Sequence, residues 1–503
     1  MRTFETGLIL VNLFSLVLSF KKQSRVAWLG IVGVNLSVFI IHGIFEGVRY
    51  QMAFSYIFVI LLAILTLLRT NRNFETKTLK ALKIIGIGLC FVFLTCTALL
   101  AYTFPVFTFP RPTGSYEVGI AYFHLVDEQR IDPFLDPSTK KRELMVKVYY
   151  PAKKDDSKPF SRYFHNSPEL LRLLTSGYGM PPFLFDHLTL VKTNSKEDLE
   201  LSDQEQSYPV ILFSHGAGTT MEVQTSQSED LASHGYVVVA IDHTYASAGT
   251  VFPDRVVSAK EATTNFHMPE PAEIITQIMA DDVRFVIDKL NEMNEGKIDS
   301  RFTGKLNLDE IGIIGHSVGG AVAYNLAIND SRVKAAIDLD GIVFITPQEG
   351  PKEAAAFLML ANDKYHIQAI ESRSPLMKKY EEMDDVEQKI TIEIYGSREA
   401  YLEAYQRAQQ NVLGLTEVLK TSGNLFTIEG SDHMKFIDIG LFIGARPLRE
   451  FIGIGGKTDP SRCLEITKAV TLAFFDQHLK GTTNASLESL LSKYPELKKI
   501  DLN

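Results

Sequence analysis

Cysteine is scarce in this 503-residue chain. There are three, with Cys90 and Cys96 inside one apolar segment and Cys463 alone. No disulfide framework follows from that arrangement, and it decides nothing about an oxidising compartment. Basic charge is also missing where a nucleic acid would need it. The net charge is −9, yet residues 1–110 carry ten Lys and Arg against three acidic residues, leaving about −16 for the remainder. Binding phosphates requires clustered Lys and Arg, so the acidic remainder argues against nucleic acid as a partner. The chain has no internal repeat and no low-complexity tract. No set of ligands at metal-binding spacing stands out, and neither a metal nor a cofactor is expected.

Long apolar stretches, by contrast, crowd the first hundred residues: Gly7–Phe20, Ala27–Ile44, Met52–Leu68 and Ile84–Phe104. The second and fourth are long enough to span a bilayer, the third is marginal and the first is short. A signal-peptide core is the alternative for the first, but Lys21, Lys22 and Arg25 follow it with no small-residue cleavage site before them. About four membrane helices are expected over 1–104. Arg69, Arg72, Lys77, Lys80 and Lys83 face a single Glu75 before the fourth span, whereas only Glu46 and Arg49 separate the second and third. The positive-inside rule then puts both basic loops in the cytoplasm and everything after about residue 105 outside. The expectation is a multi-pass cell-membrane protein with an extracytoplasmic domain. His42, Glu46, Arg49 and Tyr50 cluster at the outer end of span two, where ordinary headgroup contact competes with a functional site. A linker over 105–114, with three prolines and a glycine, ends the fourth helix.

From 115 to 503 the pattern changes. Tyr208–Ser214, Gly235–Ile241 and Val333–Leu339 are continuous apolar runs, as strands buried on both faces require. Helical patterns at Ala272–Met293 and Ser461–Leu479 alternate with such runs, and Glu143–Tyr150 reads as an early strand. The fold class is therefore α/β, a mostly parallel sheet with helices on both faces. The polar stretch 364–421 is too long for a loop and reads as an inserted lid, with exposed decoration as the alternative.

Chemistry enters at Gly315-His316-Ser317-Val318-Gly319. A strand ending at Ile314 and a helix beginning near Gly319 flank this G-x-S-x-G, the context in which a serine hydroxyl is lifted above a sheet. A serine needs a base, and the base needs an orienting acid. His433, in Gly430-Ser431-Asp432-His433, follows the last apolar run and is the base candidate. His366 lies early in the insertion, and His478 lies in the final helix. For the acid, Asp340, Asp363 and Asp338 all sit at strand ends, with Asp340 preferred because it is free of the strand. The N–H groups of Ala217, in Phe213-Ser214-His215-Gly216-Ala217-Gly218, and of Val318 form the expected oxyanion pair. His215 and His316 each flank a tight turn and are read as its supports.

With these residues assembled, the chain resembles the plasma-type (isoform II) platelet-activating factor acetylhydrolase family of α/β-hydrolases. The matching pieces are R-E-L-M-V-K-V-Y-Y-P-A at Arg142–Ala152, F-S-H-G-A-G at Phe213–Gly218 and A-S-H-G-Y-V-V-V-A-I-D-H at Ala232–His243. G-H-S-V-G-G at Gly315–Gly320, D-L-D-G at Asp338–Gly341 and G-S-D-H at Gly430–His433 complete them. The resemblance implies Ser317 as nucleophile, Asp340 as acid, His433 as base, Ala217 and Val318 as oxyanion donors, and metal-independent ester hydrolysis. The membrane region and the long insertion depart from the family pattern, so acetyl-phospholipid specificity is not carried over. The expected function is a membrane-anchored serine hydrolase of carboxylic esters, with a small-molecule or lipid ester as substrate. An acyltransferase with the same triad, and a membrane sensor or transporter with a ligand-binding outer domain, are the rivals.

Overall fold

Four helices follow from the apolar segments: α1 (Thr3–Leu18), α2 (Arg25–Phe45), α3 (Ala53–Leu68) and α4 (Lys77–Thr103). In the computed structural model, residues 1–21, 23–68, 77–137, 139–164, 168–264, 271–341, 355–362, 364–422, 424–482 and 486–502 are described. Arg69, Arg72 and Glu75 of the basic loop therefore lie outside the described residues, as does Asp363. Arg25–Phe45, Tyr50–Leu67 and Ala81–Thr103 are long and apolar enough to cross a membrane. The first helix begins at Thr3, ahead of the apolar stretch, and has 16 residues. At about 1.5 Å per residue it is shorter than a bilayer core.

Polar side chains tie the bundle internally. Asn12 Nδ2 donates to Ser55 Oγ at 2.5 Å and Asn35 Nδ2 to Ser15 Oγ at 2.8 Å, joining α1 to α3 and α2. Such interhelical bonds compensate for polar atoms held away from water. The cluster read at the outer end of α2 does not simply reach for headgroups. Glu46 accepts the backbone N–H of Phe4 and Glu5, capping α1. His42 bridges Glu46 (3.0 Å) and the Tyr56 hydroxyl (2.7 Å). Arg49 is paired with the buried carboxylate of Glu5, Nε to Oε1 at 2.6 Å and Nη2 to Oε2 at 2.8 Å. One compact unit thus covers Met1–Thr108, and it also takes in Gly179–Val191 and Phe442–Ile452 from later in the chain. Gln51 donates to the Leu184 carbonyl and Gly444 to that of Thr103, fastening both later segments to helix ends.

The second unit comprises Phe109–Tyr178, Lys192–Leu441 and Gly453–Asn503. Its strands are β1 (Glu117–Ile131), β2 (Lys141–Ala152), β3 (Ser195–Glu197), β4 (Tyr208–Ser214), β5 (Val237–Asp242), the small hairpin β6 (Gly249–Val251) and β7 (Val256–Ser258), β8 (Leu306–His316), β9 (Val333–Leu339), β10 (Ala356–Asn362), β11 (Leu425–Ile428) and β12 (Leu497–Lys499). Ten of them form one sheet in the order β12-β11-β10-β9-β8-β4-β5-β2-β1-β3. The run from β5 to β11 is parallel throughout, while β2 joins β5 and β12 joins β11 antiparallel.

Alternate residues of the central strands feed two cores. On β5, Val237, Val239 and Ile241 join one cluster, and Val238 and Ala240 join the other. That double burial is what a continuous apolar run encodes. Helices α5 (Pro168–Gly177), α6 (Thr225–Ser233), α7 (Pro271–Asn294) and α8 (Val318–Asn329) precede β9. Met279, Val283 and Ile287 of α7, with Val322 and Leu326 of α8, fill the first core. Cys463, Phe474 and Phe475, from the helix Pro460–Leu479, fill the second. The excursion between β10 and β11 folds as α9 (His366–Ser372), α10 (Asp385–Tyr395) and α11 (Arg398–Ser422). Leu415, Val418 and Leu419 hold α11 to the first core, whereas α10 leaves Val386, Ile390 and Ile394 exposed.

Candidate active site

The expected serine stands between β8 and α8, where φ of Ser317 is +58° and ψ is −123°. A non-glycine residue reaches that conformation only under strain of order 1–3 kcal/mol, held by its surroundings. Glycines make the turn possible. A Cβ at Gly315 would collide with the Gly319 carbonyl, and one at Gly319 with the Ser214 carbonyl. The Ser317 N–H donates to the Leu339 carbonyl at 3.1 Å, fixing the elbow to the end of β9.

Just past that end, Asp340 also has a positive φ, +56°. The turn separates the two aspartates that strict alternation would place on one face. Asp340 Oδ2 accepts from His433 Nδ1 at 2.7 Å and from Asn362 Nδ2 at 2.7 Å, while Oδ1 accepts the Asn362 N–H at 2.8 Å. Asp340 is fully buried, which works to raise its carboxyl. The His433 hydrogen bond, the nearby His366 and His433, and the Asn362 N–H outweigh burial and hold it below the usual carboxylate range. Asp338 goes elsewhere: its Oδ1 accepts the Gly341 N–H at 2.7 Å and its Oδ2 meets no hydrogen-bond partner among the described residues. Burial pushes Asp338 up to about 8, aided by the neighbouring Asp340 charge against the pull of the Gly341 N–H.

His433 donates through Nδ1, which leaves Nε2 as the free acceptor. Its backbone carbonyl accepts from His316 Nε2 at 2.9 Å, and the two rings lie 4.5 Å apart. Burial, then the adjacent His433, lower His316 to about 3, so it stays neutral and acts as a support for the His433 loop. Among the described residues the Ser317 hydroxyl makes no hydrogen bond to His433, as is common before substrate tightens such a site. His366, passed over in the sequence, stands with Nε2 3.8 Å from Asp340 Oδ1. His478 packs on Phe474, in the terminal helix. Gly216 packs against the elbow, since a Cβ there would lie 3.0 Å from Ser317 Cβ. The N–H groups of Ala217 and Val318 serve no carbonyl among the described residues. Those residues also include no group of three or more His, Cys, Asp or Glu arranged to hold a metal ion.

The profile of platelet-activating factor acetylhydrolase, isoform II, matches residues 102–493. The chain belongs to that family. Platelet-activating factor acetylhydrolase of Cavia porcellus is 24% identical over 404 residues, covering 76% of this chain and 80% of its own. A probable 1-alkyl-2-acetylglycerophosphocholine esterase of Arthroderma benhamiae is 24% identical, covering 78% and 94%. Among solved structures, ferulic acid esterase from Streptomyces cinnamoneus superposes with TM-score 0.56 at 25% identity, covering 79% of this chain and all of the other. The domain is an α/β-hydrolase and the protein is an ester hydrolase, of a family that uses serine.

The buried acids set an expectation for stability. Asp438, which accepts from Ser226, is likewise pushed up to about 8 by burial. An acid whose folded pKa exceeds its unfolded value keeps its proton in the native state after the unfolded chain has lost it, so stability falls as pH rises toward 8. The depressed histidines His243 and His316 act oppositely, but only below the ordinary histidine range. From pH 6.5 to 8 the acids are left to dominate, each contributing up to about 1.4 kcal/mol per pH unit. The thermal midpoint of the detergent-solubilised protein should therefore drop across that window, and Asp338→Asn should flatten the drop. A midpoint that rises from pH 6.5 to 8 would contradict this.

Proposed function

We propose that this family member is a membrane-anchored serine hydrolase of lipid carboxylic esters, working at the outer surface of the membrane. The observation that carries the reading is the 2.7 Å bond from His433 Nδ1 to Asp340 Oδ2 beside a strained Ser317 elbow. Asp340 holds the imidazole in the tautomer whose Nε2 accepts the Ser317 proton. Ser317 Oγ attacks the acyl carbonyl, and the developing oxyanion takes hydrogen bonds from the Ala217 and Val318 N–H groups. His433 then protonates the departing alcohol. Water, deprotonated by the same imidazole, releases the acid and regenerates the serine. Residues 364–421 serve as a lid, and the apolar helices hold the domain where lipid esters are concentrated. The relatives' acetyl-phospholipid substrates support a short acyl chain on a lipid leaving group.

Intact cells exposed to a membrane-impermeant fluorophosphonate should label wild type and not Ser317→Ala. Labelling that appears only after lysis would move the domain inside and keep the enzyme. Equal labelling of both forms would overturn the serine assignment.

A further inference from the structure

The oxyanion loop is backed by a chain of buried polar groups that the reaction itself does not use. Arg142 on β2 holds Asp282 of α7 through two bonds, Nη2 to Oδ2 at 2.7 Å and Nε to Oδ1 at 3.1 Å. Arg142 also reaches Asp132 and the Thr244 carbonyl, and Arg130 adds a third bond to Asp282. Asp282 Oδ2 accepts from His243 Nδ1 at 3.0 Å, and His243 Nε2 accepts the Ser214 hydroxyl at 3.0 Å. Asp282, His243 and Ser214 thus repeat the Asp-His-Ser order of the proposed triad, yet all three are fully buried. No substrate can reach them there.

The chain continues into the loop through a hydrogen bond whose direction is fixed. The His243 backbone N–H points to His215 Nε2 at 3.0 Å, and a backbone N–H can only donate. The His215 proton must therefore sit on Nδ1, which donates to the Gly216 carbonyl at 2.8 Å. Asp242 stands 3.4 Å from the same Nε2, and burial raises its carboxyl above the ordinary range. Two more donors converge on the Gly216 carbonyl, Thr219 N–H at 3.0 Å and Thr219 Oγ1 at 2.7 Å. The peptide joining Gly216 to Ala217 is planar and trans, so its C=O and N–H point in opposite directions. Three donors on the carbonyl fix where the Ala217 N–H aims.

We infer that His215 and Thr219, supported through His243 and Asp282 by Arg142, are positioning residues that aim the Ala217 N–H at the oxyanion. This rests on the assignment of Ser317 and Ala217 proposed above. The relay gathers β2, β4, β5 and α7 onto one peptide plane, so the donor needs no reorganisation as charge develops. Loss of a whole oxyanion donor costs about 10²–10³ in kcat, and loss of one of three pins behind a donor should cost about tenfold.

The test uses the purified full-length protein with p-nitrophenyl acetate. Thr219→Val removes the hydroxyl with little change of shape, and Thr219→Ser returns it. His215→Leu removes the imidazole donor, and His215→Asn places an amide N–H near the position of Nδ1. The expected result is kcat reduced about tenfold with KM within twofold for Val and Leu, and largely restored for Ser and Asn. Unchanged kcat in both Thr219→Val and His215→Leu would overturn the inference, as would a fall matched by loss of folded protein or unrescued by Ser. Ser317→Ala run alongside separates the two levels. If it is silent, a failed relay sinks only the relay; if it remains active, the proposed function falls first and takes the relay with it.

Discussion

Ser317→Ala should lower kcat for a soluble acetyl ester by about a millionfold, equivalent to about 8 kcal/mol of barrier. The size follows from what the hydroxyl does. In the proposed mechanism its oxygen forms the acyl-enzyme, and no neighbouring group can take its place at the elbow. His316, one residue earlier, donates to the His433 carbonyl, and Val318 begins α8. Alanine occupies less space than serine and keeps the Ser317 N–H bond to the Leu339 carbonyl, so the fold should be intact. Purified protein, soluble substrate and a circular dichroism spectrum suffice as the assay. Hydrolysis within tenfold of wild type would remove the nucleophile from the proposal.

Asp340→Asn should cost about 10⁴ in kcat, about 5.4 kcal/mol, with the protein still folded. The carboxylate accepts three hydrogen bonds, from His433 Nδ1 and from the side chain and backbone of Asn362. An amide can keep one of those oxygens but presents N–H₂ in place of the other. Facing His433 with a donor favours the tautomer protonated on Nε2, which cannot accept a proton from serine. Asp338→Asn is the matched control. Its carboxyl meets the Gly341 N–H and not His433, so activity should stay within a few-fold of wild type. Reversal of the two phenotypes would transfer the acid's role to Asp338.

The parallel heart of the sheet was legible because burial on two faces leaves an unbroken apolar run. Tyr208–Ser214 and Val333–Leu339 coincide with the runs read from sequence. Strand β1 was not foreseen, since its second half, His124-Leu125-Val126-Asp127-Glu128-Gln129-Arg130-Ile131, mixes charge with apolar residues near the sheet edge. The three-residue strands β3 and β12 carry too little pattern to read. Asp340 was preferred to Asp338 only for lying beyond the strand, because two-residue alternation puts both on one face and cannot register the positive φ at Asp340. The contact from Asp340 to His433 joins residues far apart in the chain but lies where the motifs pointed. His243 and Asp282 gave no signal, because a buried hydrogen bond between a strand end and a helix interior has no local spacing rule. The same holds for Glu5, which precedes the apolar stretch and has no spacing relation to its partner Arg49.

The pairing of Glu5 with Arg49 imposes an order on biogenesis. During synthesis the carboxylate emerges long before the guanidinium that neutralises it, the two being 44 residues apart. Until then Glu5 has only Arg2, in its own first turn, as a counter-charge, with neither Arg49 nor the cap from Glu46 in place. A hydrophobic segment in that condition is inserted reluctantly and can be held at the surface. Arrival of α2 and the turn after it supplies both the cap and the second counter-charge. The first helix made locks only once the second has followed it.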